Sequence, residues 1–554
     1  MKIVLVGGVA GGAGAAARAR RLDEDADIVM FERGEFISFA NCGLPYHVGN
    51  VIEDRSDLLL MTPETFRART AVDVRVLHEV TAIDRANKTV SVRNLRTGER
   101  EQEGYDKLIL ATGSSPVRPP IPGADDPDVL QLWTIPDMDR IKSRVDAGAK
   151  RAVVVGGGFI GLEIAENLRE RGVEVDLIEM LPQVLPTLDR EMAQPLADEL
   201  EAHGVSLRLG QRVQEIHRPS TFEETSSELR VVLDDGTELT TDFVVMSIGV
   251  RPNSELASEA GLAVGERGAI RVNDHLCTED PDIYAVGDVI EVRDLVGGGA
   301  AQIPLAGPAN RQARIAAENA LGGDRTYSGT LGTSVVQVFD RTAASVGATE
   351  KRLVESKASY EKIYLHPFSN AAYYPGGAPI ALKVLFEADT GCLLGAQAIG
   401  GRGVDKRIDV IATVMKMNGT VHDLADLELS YAPPYGSAKD PVNYAGMVAE
   451  NILDGKSKAV SCEAIPGNAA LLDVRQQAER DAGYIPGSDF IPLGQLRSRI
   501  DELPRNKTIV VYCKVGLRGY LGERILKEHG FDAANLSGGW ITYQMMRDAG
   551  MLTD

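Results

Sequence analysis

Two glycine-rich turns, each between an apolar strand and a helix, constrain the fold of this 554-residue chain more than any other feature. They lie in residues 3–12, IVLVGGVAGG, and 152–161, AVVVGGGFIG. Such glycines let the backbone approach a pyrophosphate at the helix N-terminus, and an acid roughly 20 residues on, here Glu32 or Glu179, can bind a ribose hydroxyl. Val9 replaces the middle glycine of the first turn, but two turns in series predict two Rossmann-like dinucleotide-binding domains. The glycines predicted to face the dinucleotides are Gly7, Gly8, Gly12, Gly156, Gly158 and Gly161.

The composition is that of a large globular protein. Hydrophobic residues make up 44% of the chain and charged residues 25%, which is ordinary for folded domains. The formal net charge of −21 argues against nucleic acid or an anionic membrane surface as the main partner. No apolar stretch is long enough to span a bilayer, and residues 1–8 enter a strand and a glycine turn at once, leaving no room for a secretory signal. We therefore expect a cytoplasmic protein.

Cys42 is the most informative of the five cysteines, which are odd in number and too scattered for a disulfide framework or a zinc site. It lies in the run 38–46, SFANCGLPY, shortly after the acidic end of the first nucleotide unit. A redox-active C-x4-C pair would need a second cysteine at position 47, which is His47. A thiol without an internal partner forms its mixed disulfide with an external thiol or is oxidised to a sulfenate. The sequence therefore predicts a thiol or persulfide substrate and no metal.

Two further segments, 108–113 (LILATG) and 283–288 (IYAVGD), resemble the turns that complete the flavin site in flavoprotein disulfide reductases. The resemblance implies that the first nucleotide unit binds FAD and that the second, inserted between these pieces, binds NADH or NADPH. Glu179 favours NADH, because a carboxylate repels a 2′-phosphate and no arginine follows nearby to bind one. The residues that the resemblance adds to the FAD site are Ala111, Thr112, Gly113 and Asp288.

Beyond residue 325 the pattern changes to strands and loops without a glycine-turn signature. Residues 334–339, 360–364 and 381–386 are predicted strands, and 405–417 is a predicted amphipathic helix. This pattern is similar to the C-terminal interface domain of the same flavoproteins. The resemblance implies a homodimer in which this domain places its residues over the partner's flavin.

The C-terminal segment resembles a rhodanese (sulfurtransferase) domain from end to end. Cys513 is predicted to end a buried strand, before a loop and helix N-terminus whose amide groups would lower its pKa and hold a persulfide anion, with Arg518 adding positive charge. Two residues depart from the family pattern: Tyr484 replaces a histidine, and Gly519 replaces a serine or similar residue. The motifs that carry the resemblance are 471–475 (LLDVR), 483–487 (GYIPG), 491–493 (IPL), 509–518 (IVVYCKVGLR) and 535–540 (NLSGGW).

The whole chain resembles one family, the coenzyme A-disulfide reductases fused to a rhodanese, also described as NADH-dependent persulfide or polysulfide reductases. The runs 38–43, 429–435 (LSYAPPY) and 437–441 (SAKDP), together with both nucleotide units and the rhodanese tail, carry this resemblance. It implies that Cys42 forms a mixed disulfide with coenzyme A and that Asn41 and Ser38 flank it. It also implies that Tyr373 and Tyr431 reach toward that sulfur from the second subunit, with the adjacent Tyr374 as the alternative to Tyr373.

Coenzyme A carries several phosphate charges, so a protein of net charge −21 must concentrate cations to bind it. Arg18 and Arg21 are three apart on the first helix and share a face, and Lys439 follows the YAPPY turn. An arginine-rich helix end can also be a solvated face near the C-terminal dipole. The family resemblance favours the ligand interpretation and adds Ser38 to the predicted coenzyme A contacts.

These observations predict an α/β fold with two Rossmann-like domains, an α+β dimerisation domain and a C-terminal α/β rhodanese domain. The predicted domain ranges are 1–149 and 246–324 for FAD, 150–245 for NAD(P)H, 325–450 for dimerisation, 451–465 for a linker and 466–554 for the rhodanese.

The predicted activity is an FAD-dependent, NAD(P)H-linked reduction of coenzyme A disulfide, coenzyme A persulfide or polysulfide. It would release coenzyme A thiol and hydrogen sulfide, with Cys513 relaying sulfane sulfur to Cys42. Two alternatives stay open. One is an NADH oxidase or peroxidase that cycles Cys42 through a sulfenic acid, and the other is a sulfane-sulfur carrier or sensor.

Overall fold

The computed structural model describes residues 1–219 and 228–552. The chain divides into two compact units. The first comprises Met1–Met180 with Gly204–Thr330, and the second comprises Leu181–His203 with Leu331–Asp554. Among the described residues, no helix is both long and apolar enough to cross a membrane.

The first unit contains two five-stranded sheets that are parallel throughout. Their inner strands are mostly apolar and buried, as expected for parallel sheets covered on both faces, whereas the edge strands Asp73–Val76 and Val205–Leu209 are largely half-buried. The strand order is Ile283–Ala285, Lys107–Leu110, Lys2–Val6, Asp27–Glu32, Asp73–Val76 in one sheet and Val205–Leu209, Glu174–Glu179, Arg151–Val155, Phe243–Met246, Val129–Leu130 in the other.

A helix follows each glycine turn, as predicted. Helix Ala10–Leu22 connects the first two strands of one sheet, and helix Phe159–Glu170 connects Arg151–Val155 to Glu174–Glu179 in the other. The first helix is mostly alanine and glycine on its buried side, so helix Ala306–Ala320 packs closely against it. Both helices therefore begin at the carboxyl end of a parallel strand, where dinucleotides bind in such sheets.

Four small sheets complete the described part of the first unit, and all their pairings are antiparallel except that of Ile270–Arg271 with Ile290–Arg293, which is parallel. The strands are His78–Asp84, Thr89–Asn94, Arg100–Gly104; Val213–His217, Leu229–Leu233, Glu238–Thr241; Ser114–Pro116, Val250–Pro252; and Ile270–Arg271, Ile290–Arg293, Ala300–Ala301. The other helices, including short 3-10 turns, are Asn41–Gly43, Leu44–Val48, Arg55–Leu58, Pro63–Thr70, Ile135–Asp146, Glu255–Glu259 and Gly287–Val289.

The second unit contains a five-stranded antiparallel sheet. The predicted strands at 334–339, 360–364 and 381–386 are present within one residue at each end, and the predicted helix at 405–417 is Val404–Lys416. The sheet order is Ser334–Val338, Arg341–Gly347, Leu393–Gly400, Ile380–Glu387, Tyr360–Leu365, with helices Arg190–Ala202, Glu350–Ser356, Val421–Asp426 and Pro441–Leu453 in the same unit.

A second, parallel sheet forms the C-terminal part of this unit. Its presence confirms the predicted α/β character of the tail, and with the sheets above it confirms the predicted fold class. The strand order is Ala459–Val460, Ala533–Leu536, Ile509–Tyr512, Ala470–Asp473, Asp489–Phe490. The helices, with 3-10 turns, are Cys462–Ala464, Gln477–Asp481, Leu493–Ser498, Ile500–Glu502, Leu517–Glu528 and Gly539–Asp548.

Candidate active site

The first glycine turn is too tight for side chains. A Cβ atom on Gly12 would lie 1.7 Å from the carbonyl oxygen of Gly7, and one on Gly7 would lie 2.1 Å from that of Ala111. Gly7 also has a φ of 105°, which glycine adopts readily and other residues do not. The backbone of this turn is therefore free to approach a phosphate group, and it fits the dinucleotide that the sequence predicts.

Glu32 points back at this turn from the end of its strand. Its carboxylate accepts the N–H of Gly8 at 2.7 Å and the N–H of Gly34 at 2.7 Å. These bonds hold the acid beside the turn, where a ribose hydroxyl of a bound dinucleotide would meet it.

The second glycine turn repeats this geometry. A Cβ on Gly161 would lie 1.9 Å from the carbonyl oxygen of Gly156, and the buried carboxylate of Glu179 accepts the N–H of Gly157 at 2.7 Å. The Cα of Gly158 faces open space. The residues present fit a second dinucleotide.

A hydrogen bond from Ser114, the residue after the A-T-G turn, reaches the half-buried carboxylate of Asp288 in the G-D turn. The hydroxyl of Ser114 donates to Asp288 at 2.8 Å, and burial raises the pKa of Asp288. Thr112 and Asn253 exchange side-chain and backbone hydrogen bonds of 2.7 and 2.8 Å. Gly113 has a φ of 66° and turns the chain between the strand and Ser114. Sequence reasoning missed Ser114 and Asn253, because each acts through a partner more than a hundred residues away.

Cys42 lies in the 3-10 turn Asn41–Gly43, and both Asn41 and Cys42 are exposed. The segment is anchored at Ser38, whose backbone N–H donates to Gly8 of the first glycine turn at 2.9 Å. Ser38 has a φ of 45°, in the left-handed region, and strained residues of this kind cluster at functional sites. A Cβ on Gly43 would lie 2.6 Å from Cδ2 of Leu58, so a larger residue after the cysteine would have to displace that leucine side chain. The structure thus brings the cysteine segment to the first dinucleotide turn.

The electrostatic surroundings of Cys42 are negative. Although the residue is accessible from one side, the protein around it raises the pKa of its thiol by desolvation, and the carboxylates of Glu163 and Asp288 raise it further. Glu163 was not predicted from the sequence. Its contact is the hydroxyl of Tyr46, 117 residues earlier in the chain, so no local pattern could have indicated it.

The predicted coenzyme A cations have different environments. Arg18 donates to the carboxylate of Glu318 at 3.0 Å, whereas Arg21 is exposed at the end of its helix. Between them, Arg20 is buried and bound to backbone carbonyls, which makes it structural. Lys439 is exposed in the second unit.

Tyr373 and Tyr431 lie together in the second unit, with their hydroxyl oxygens 2.9 Å apart. Both are exposed, at 76% and 46% of their surface, and this hydrogen bond raises the pKa of Tyr431. The adjacent Tyr374 is also exposed at the surface. The geometry therefore favours Tyr373 over Tyr374 as the partner of Tyr431.

Cys513 follows strand Ile509–Tyr512 directly and is fully buried. The N–H of Gly516, a residue with φ 103°, donates to its sulfur at 3.2 Å. Helix Leu517–Glu528 begins immediately after this loop. A loop of this kind, with an amide aimed at sulfur and a helix N-terminus behind it, can hold an anionic sulfur.

The guanidinium of Arg518 interacts with two groups, the carboxylate of Glu479 and the sulfur of Cys513. It forms a bidentate ion pair with Glu479, at 2.7 and 2.6 Å, and this pair is the main reason that the pKa of Arg518 is raised. A smaller contribution comes from the sulfur of Cys513, so the guanidinium lies close enough to interact with both. Sequence reasoning missed Glu479, which follows the LLDVR motif by four residues.

The two departures from the rhodanese pattern have local explanations. Tyr484 is 48% exposed, and the guanidinium of Arg480 lies 4.3 Å from its ring centroid, so the ring is held at the surface by a cation–π contact. A Cβ on Gly519 would lie 2.4 Å from Oδ1 of Asn535, so a serine at this position would clash. Both substitutions are thus accommodated by neighbours in the same domain.

Three known families match consecutive parts of the chain. Residues 1–313 match the pyridine nucleotide-disulphide oxidoreductase family, 333–441 match its dimerisation domain, and 460–545 match the rhodanese-like domain.

Three relatives are similar over most of the chain. The coenzyme A disulfide reductase of Staphylococcus haemolyticus is 38% identical over 453 residues, which cover 81% of this chain and all of that protein. The structure of reduced Bacillus anthracis CoADR-RHD is 47% identical, with a TM-score of 0.95 and coverage of 99% of this chain and 98% of that one. A NAD-dependent persulfide reductase from A. fulgidus is 38% identical, with a TM-score of 0.91 and coverage of 98% and 100%. The chain therefore belongs to the pyridine nucleotide-disulphide oxidoreductase family and carries a rhodanese-like domain at its C-terminus.

Proposed function

We propose that this protein is an FAD-dependent reductase that uses NADH to reduce coenzyme A disulfide and coenzyme A persulfide or polysulfide. The observation that carries the proposal is an accessible Cys42, free of any disulfide, anchored to a dinucleotide turn in a chain that also has a buried rhodanese-type cysteine. The names of two structural relatives that cover nearly the whole chain, one of them a persulfide reductase, support the same activity.

The first glycine turn, Glu32, the A-T-G turn and Asp288 would hold FAD, and the second glycine turn with Glu179 would hold NADH. FAD, when bound, supplies electrons from NADH to the sulfur of Cys42. The chain contributes binding and the position of Cys42, because Ser38 ties that segment to the same turn.

The sulfur chemistry assigned to Cys42 is thiol–disulfide exchange. Its thiolate attacks one sulfur of coenzyme A disulfide, the S–S bond breaks, one coenzyme A thiolate leaves, and a mixed disulfide with Cys42 forms. With a coenzyme A persulfide, attack on the sulfane sulfur releases coenzyme A thiolate and leaves Cys42 as a persulfide. Two electrons then cleave either product, regenerating the Cys42 thiolate and releasing coenzyme A or hydrosulfide.

Tyr373 and Tyr431 are proposed to act from the second subunit of a homodimer, as proton donors to the departing thiolate. Their shared hydrogen bond and their exposure support this role, because two hydroxyl groups presented together at a surface are available to a partner's substrate. The match to a dimerisation domain supports the homodimer.

Coenzyme A is proposed to bind near the Cys42 segment, with Ser38, Arg18, Arg21 and Lys439 as its contacts and phosphate partners. The exposed Arg21 and Lys439 have the charge to do so. Arg18 would bind a phosphate group of coenzyme A either in place of Glu318 or together with it. We further propose that Cys513 relays sulfane sulfur to Cys42 and that the enzyme works in the cytoplasm.

The test has two parts. Reductant is added to the purified holoenzyme and the released thiol is identified by mass spectrometry, with coenzyme A as the expected product. NADH oxidation is then followed with coenzyme A disulfide, coenzyme A persulfide, hydrogen peroxide and oxygen. Turnover with the first two supports the proposal, whereas faster turnover with peroxide or oxygen would assign an oxidase or peroxidase instead.

A further inference from the structure

Tyr373 and Tyr431 lie on two separate loops of the second unit. Residues 366–379 connect two neighbouring strands of the antiparallel sheet, and residues 427–440 connect two helices. Both tyrosines are exposed, so the single hydrogen bond between their hydroxyls competes with water and does little to hold the loops together. The buried contacts between the two loops therefore decide where the two hydroxyls lie.

Arg407 contacts both loops. It belongs to helix Val404–Lys416 and is only 3% exposed. Its Nη2 atom donates to the carbonyl oxygen of Ser369, in the 366–379 loop, at 2.8 Å. The same atom donates to Oδ2 of Asp440, at the end of the 427–440 loop, at 2.7 Å. One buried guanidinium thus ties the two loops to the same helix.

The ion pair of Arg407 with Asp440 is held in one geometry. Asp440 is 9% exposed, and its carboxylate also accepts the N–H of Val442 at 3.1 Å, which caps the following helix. The Nε atom of Arg407 donates to this carboxylate at 3.3 Å. A buried charge is stable only when it is paired and hydrogen-bonded. A Cβ on Gly403 would lie 2.3 Å from Nη1 of Arg407, so the glycine makes room for the guanidinium.

Asn370 joins the two loops directly. Its side-chain amide donates to the carbonyl oxygen of Pro433 at 3.1 Å, and the neighbouring N–H of Ala371 donates to the carbonyl of Gly436 at 2.8 Å. Asn370 is three residues before one tyrosine, and Pro433 is two residues after the other. Asn370 is 5% exposed, so its bond is shielded from water, unlike the bond between the two phenols.

We propose that Arg407, together with Asn370, is a positioning residue for the pair of Tyr373 and Tyr431. It holds the two loops at the separation at which the hydroxyls share a hydrogen bond and can serve one substrate. Arg407 itself does not touch the substrate, because its guanidinium is buried and occupied by the loops. This inference rests on the proposed function of the two tyrosines as proton donors and names the residues that position them.

The first test is the turnover of coenzyme A disulfide with NADH by the holoenzyme. Arg407→Gln should lower kcat roughly tenfold, a part of the roughly 10²–10⁴-fold that a positioned proton donor contributes. The KM for NADH should not change, because the second glycine turn belongs to the other unit. In a Tyr431→Phe background the same substitution should have almost no further effect, since the pair is already lost. A general loss of structure would instead lower kcat by the same factor in both backgrounds.

The second test needs no turnover. It measures the rate at which tetranitromethane nitrates Tyr431 at one mildly alkaline pH, read from the Tyr431 peptide by mass spectrometry. The phenolate is the reactive form, and the hydrogen bond with Tyr373 raises the pKa of Tyr431. Nitration should therefore be severalfold faster in Arg407→Gln than in native protein, and about as fast as in Tyr373→Phe.

Lys406→Gln is the matched control, because it removes the same charge from an exposed position next to Arg407 on the same helix. It should change neither kcat nor the nitration rate. If Arg407→Gln does not fold, Asn370→Ala decides by the same two measurements, since it removes a bond between the loops and leaves the buried ion pair intact.

Native kcat and native nitration in Arg407→Gln would overturn the inference, and so would an equal loss of kcat in the Tyr431→Phe background. The proposed function can fail separately. If Tyr431→Phe itself keeps native kcat, the tyrosines are not the proton donors, and the nitration rate alone decides whether Arg407 positions them.

Discussion

Cys42 and Cys513 are two thiols of one chain in opposite surroundings. Cys42 is exposed in a 3-10 turn, and burial of its inner side together with two carboxylates raises the pKa of its thiol. Cys513 is fully buried at a strand end, with an N–H of Gly516 donating to its sulfur and the guanidinium of Arg518 close by.

The difference teaches that the two sites suit different sulfur chemistry. An exposed thiol is accessible to a bulky external disulfide, and the raised pKa of Cys42 lowers the fraction present as the reactive thiolate. A buried sulfur that meets an amide and a cation is suited to hold a persulfide anion. The first site therefore suits reduction, and the second suits sulfur transfer.

The comparison predicts its largest effect at Cys42. In Cys42→Ser, NADH-dependent reduction of coenzyme A disulfide and persulfide should fall by about a thousandfold or more, because the variant lacks the thiol proposed to form the mixed disulfide. FAD should stay bound, because its predicted site consists of glycine turns and Asp288 rather than sulfur. Steady-state NADH oxidation measures the reductase activity, and the flavin absorption spectrum measures the bound FAD.

Cys277→Ser is the matched control, since Cys277 is a half-buried cysteine of the same unit. It should keep full activity. Substantial turnover in Cys42→Ser would show that another residue carries the chemistry. The contrast between Cys42 as the reducing site and Cys513 as the sulfur-transfer site would then be wrong.

The second prediction separates the two sites by their dependence on nucleotide. Native protein should prefer NADH, and Glu179→Arg should shift the ratio of kcat/KM toward NADPH by roughly ten- to hundredfold, the value of one or two charge-assisted hydrogen bonds. Transfer of sulfane sulfur from Cys513 to cyanide needs no nucleotide and should not change.

Equal use of both nucleotides by native protein would show that Glu179 does not lie near the ribose. Glu174→Arg, at the other end of the same strand and exposed, controls for the added charge.

The third prediction tests the sulfur relay. Cys513→Ser should slow turnover severalfold with polysulfide or elemental sulfur, which must first load the rhodanese loop. Reduction of free coenzyme A persulfide should be nearly unchanged, because that substrate reaches Cys42 directly. Rates of NADH oxidation with each donor provide the measurement.

Cys462→Ser serves as its control. Cys462 is also buried in the second unit, but burial raises its pKa to about 12, so it holds no thiolate to load. If the native protein and Cys513→Ser behave alike with every donor, the tail is a docking or stabilising domain and the two thiols do not cooperate.

The smallest predicted effect concerns the loop around Cys513. Gly519→Ser restores the residue typical of rhodaneses but places a Cβ 2.4 Å from Oδ1 of Asn535. It should lower the free energy of unfolding by about 1–3 kcal/mol through overpacking. Thermal unfolding of the full chain would show this as a lower transition temperature.

Gly519→Ser combined with Asn535→Ala should recover most of the loss, because the second change removes the clashing oxygen. A single variant as stable as native protein would show that the loop tolerates the larger residue.

Several features of the site were predictable because they are local in sequence. The glycine turn, the following helix and strand, and the acid at the strand end recur at similar spacing, 24 residues from Gly8 to Glu32 and 22 from Gly157 to Glu179. The structure shows the same bond from a glycine N–H to each acid, 2.7 Å long in both cases. The position of Cys513 directly after its strand was likewise predicted from one continuous motif.

The sequence by itself thus determined the α/β fold class, the two nucleotide turns and the identity of the two thiols, since strand and turn patterns need only neighbouring residues. Only the tertiary structure decided which side chains meet: Glu163 with Tyr46 across 117 residues, Tyr431 with Tyr373 across 58, and Arg518 with Glu479 across 39. These contacts depend on how separate elements pack. Packing brings together residues whose spacing along the chain carries no signal, and it also sets the burial that fixes their pKa values.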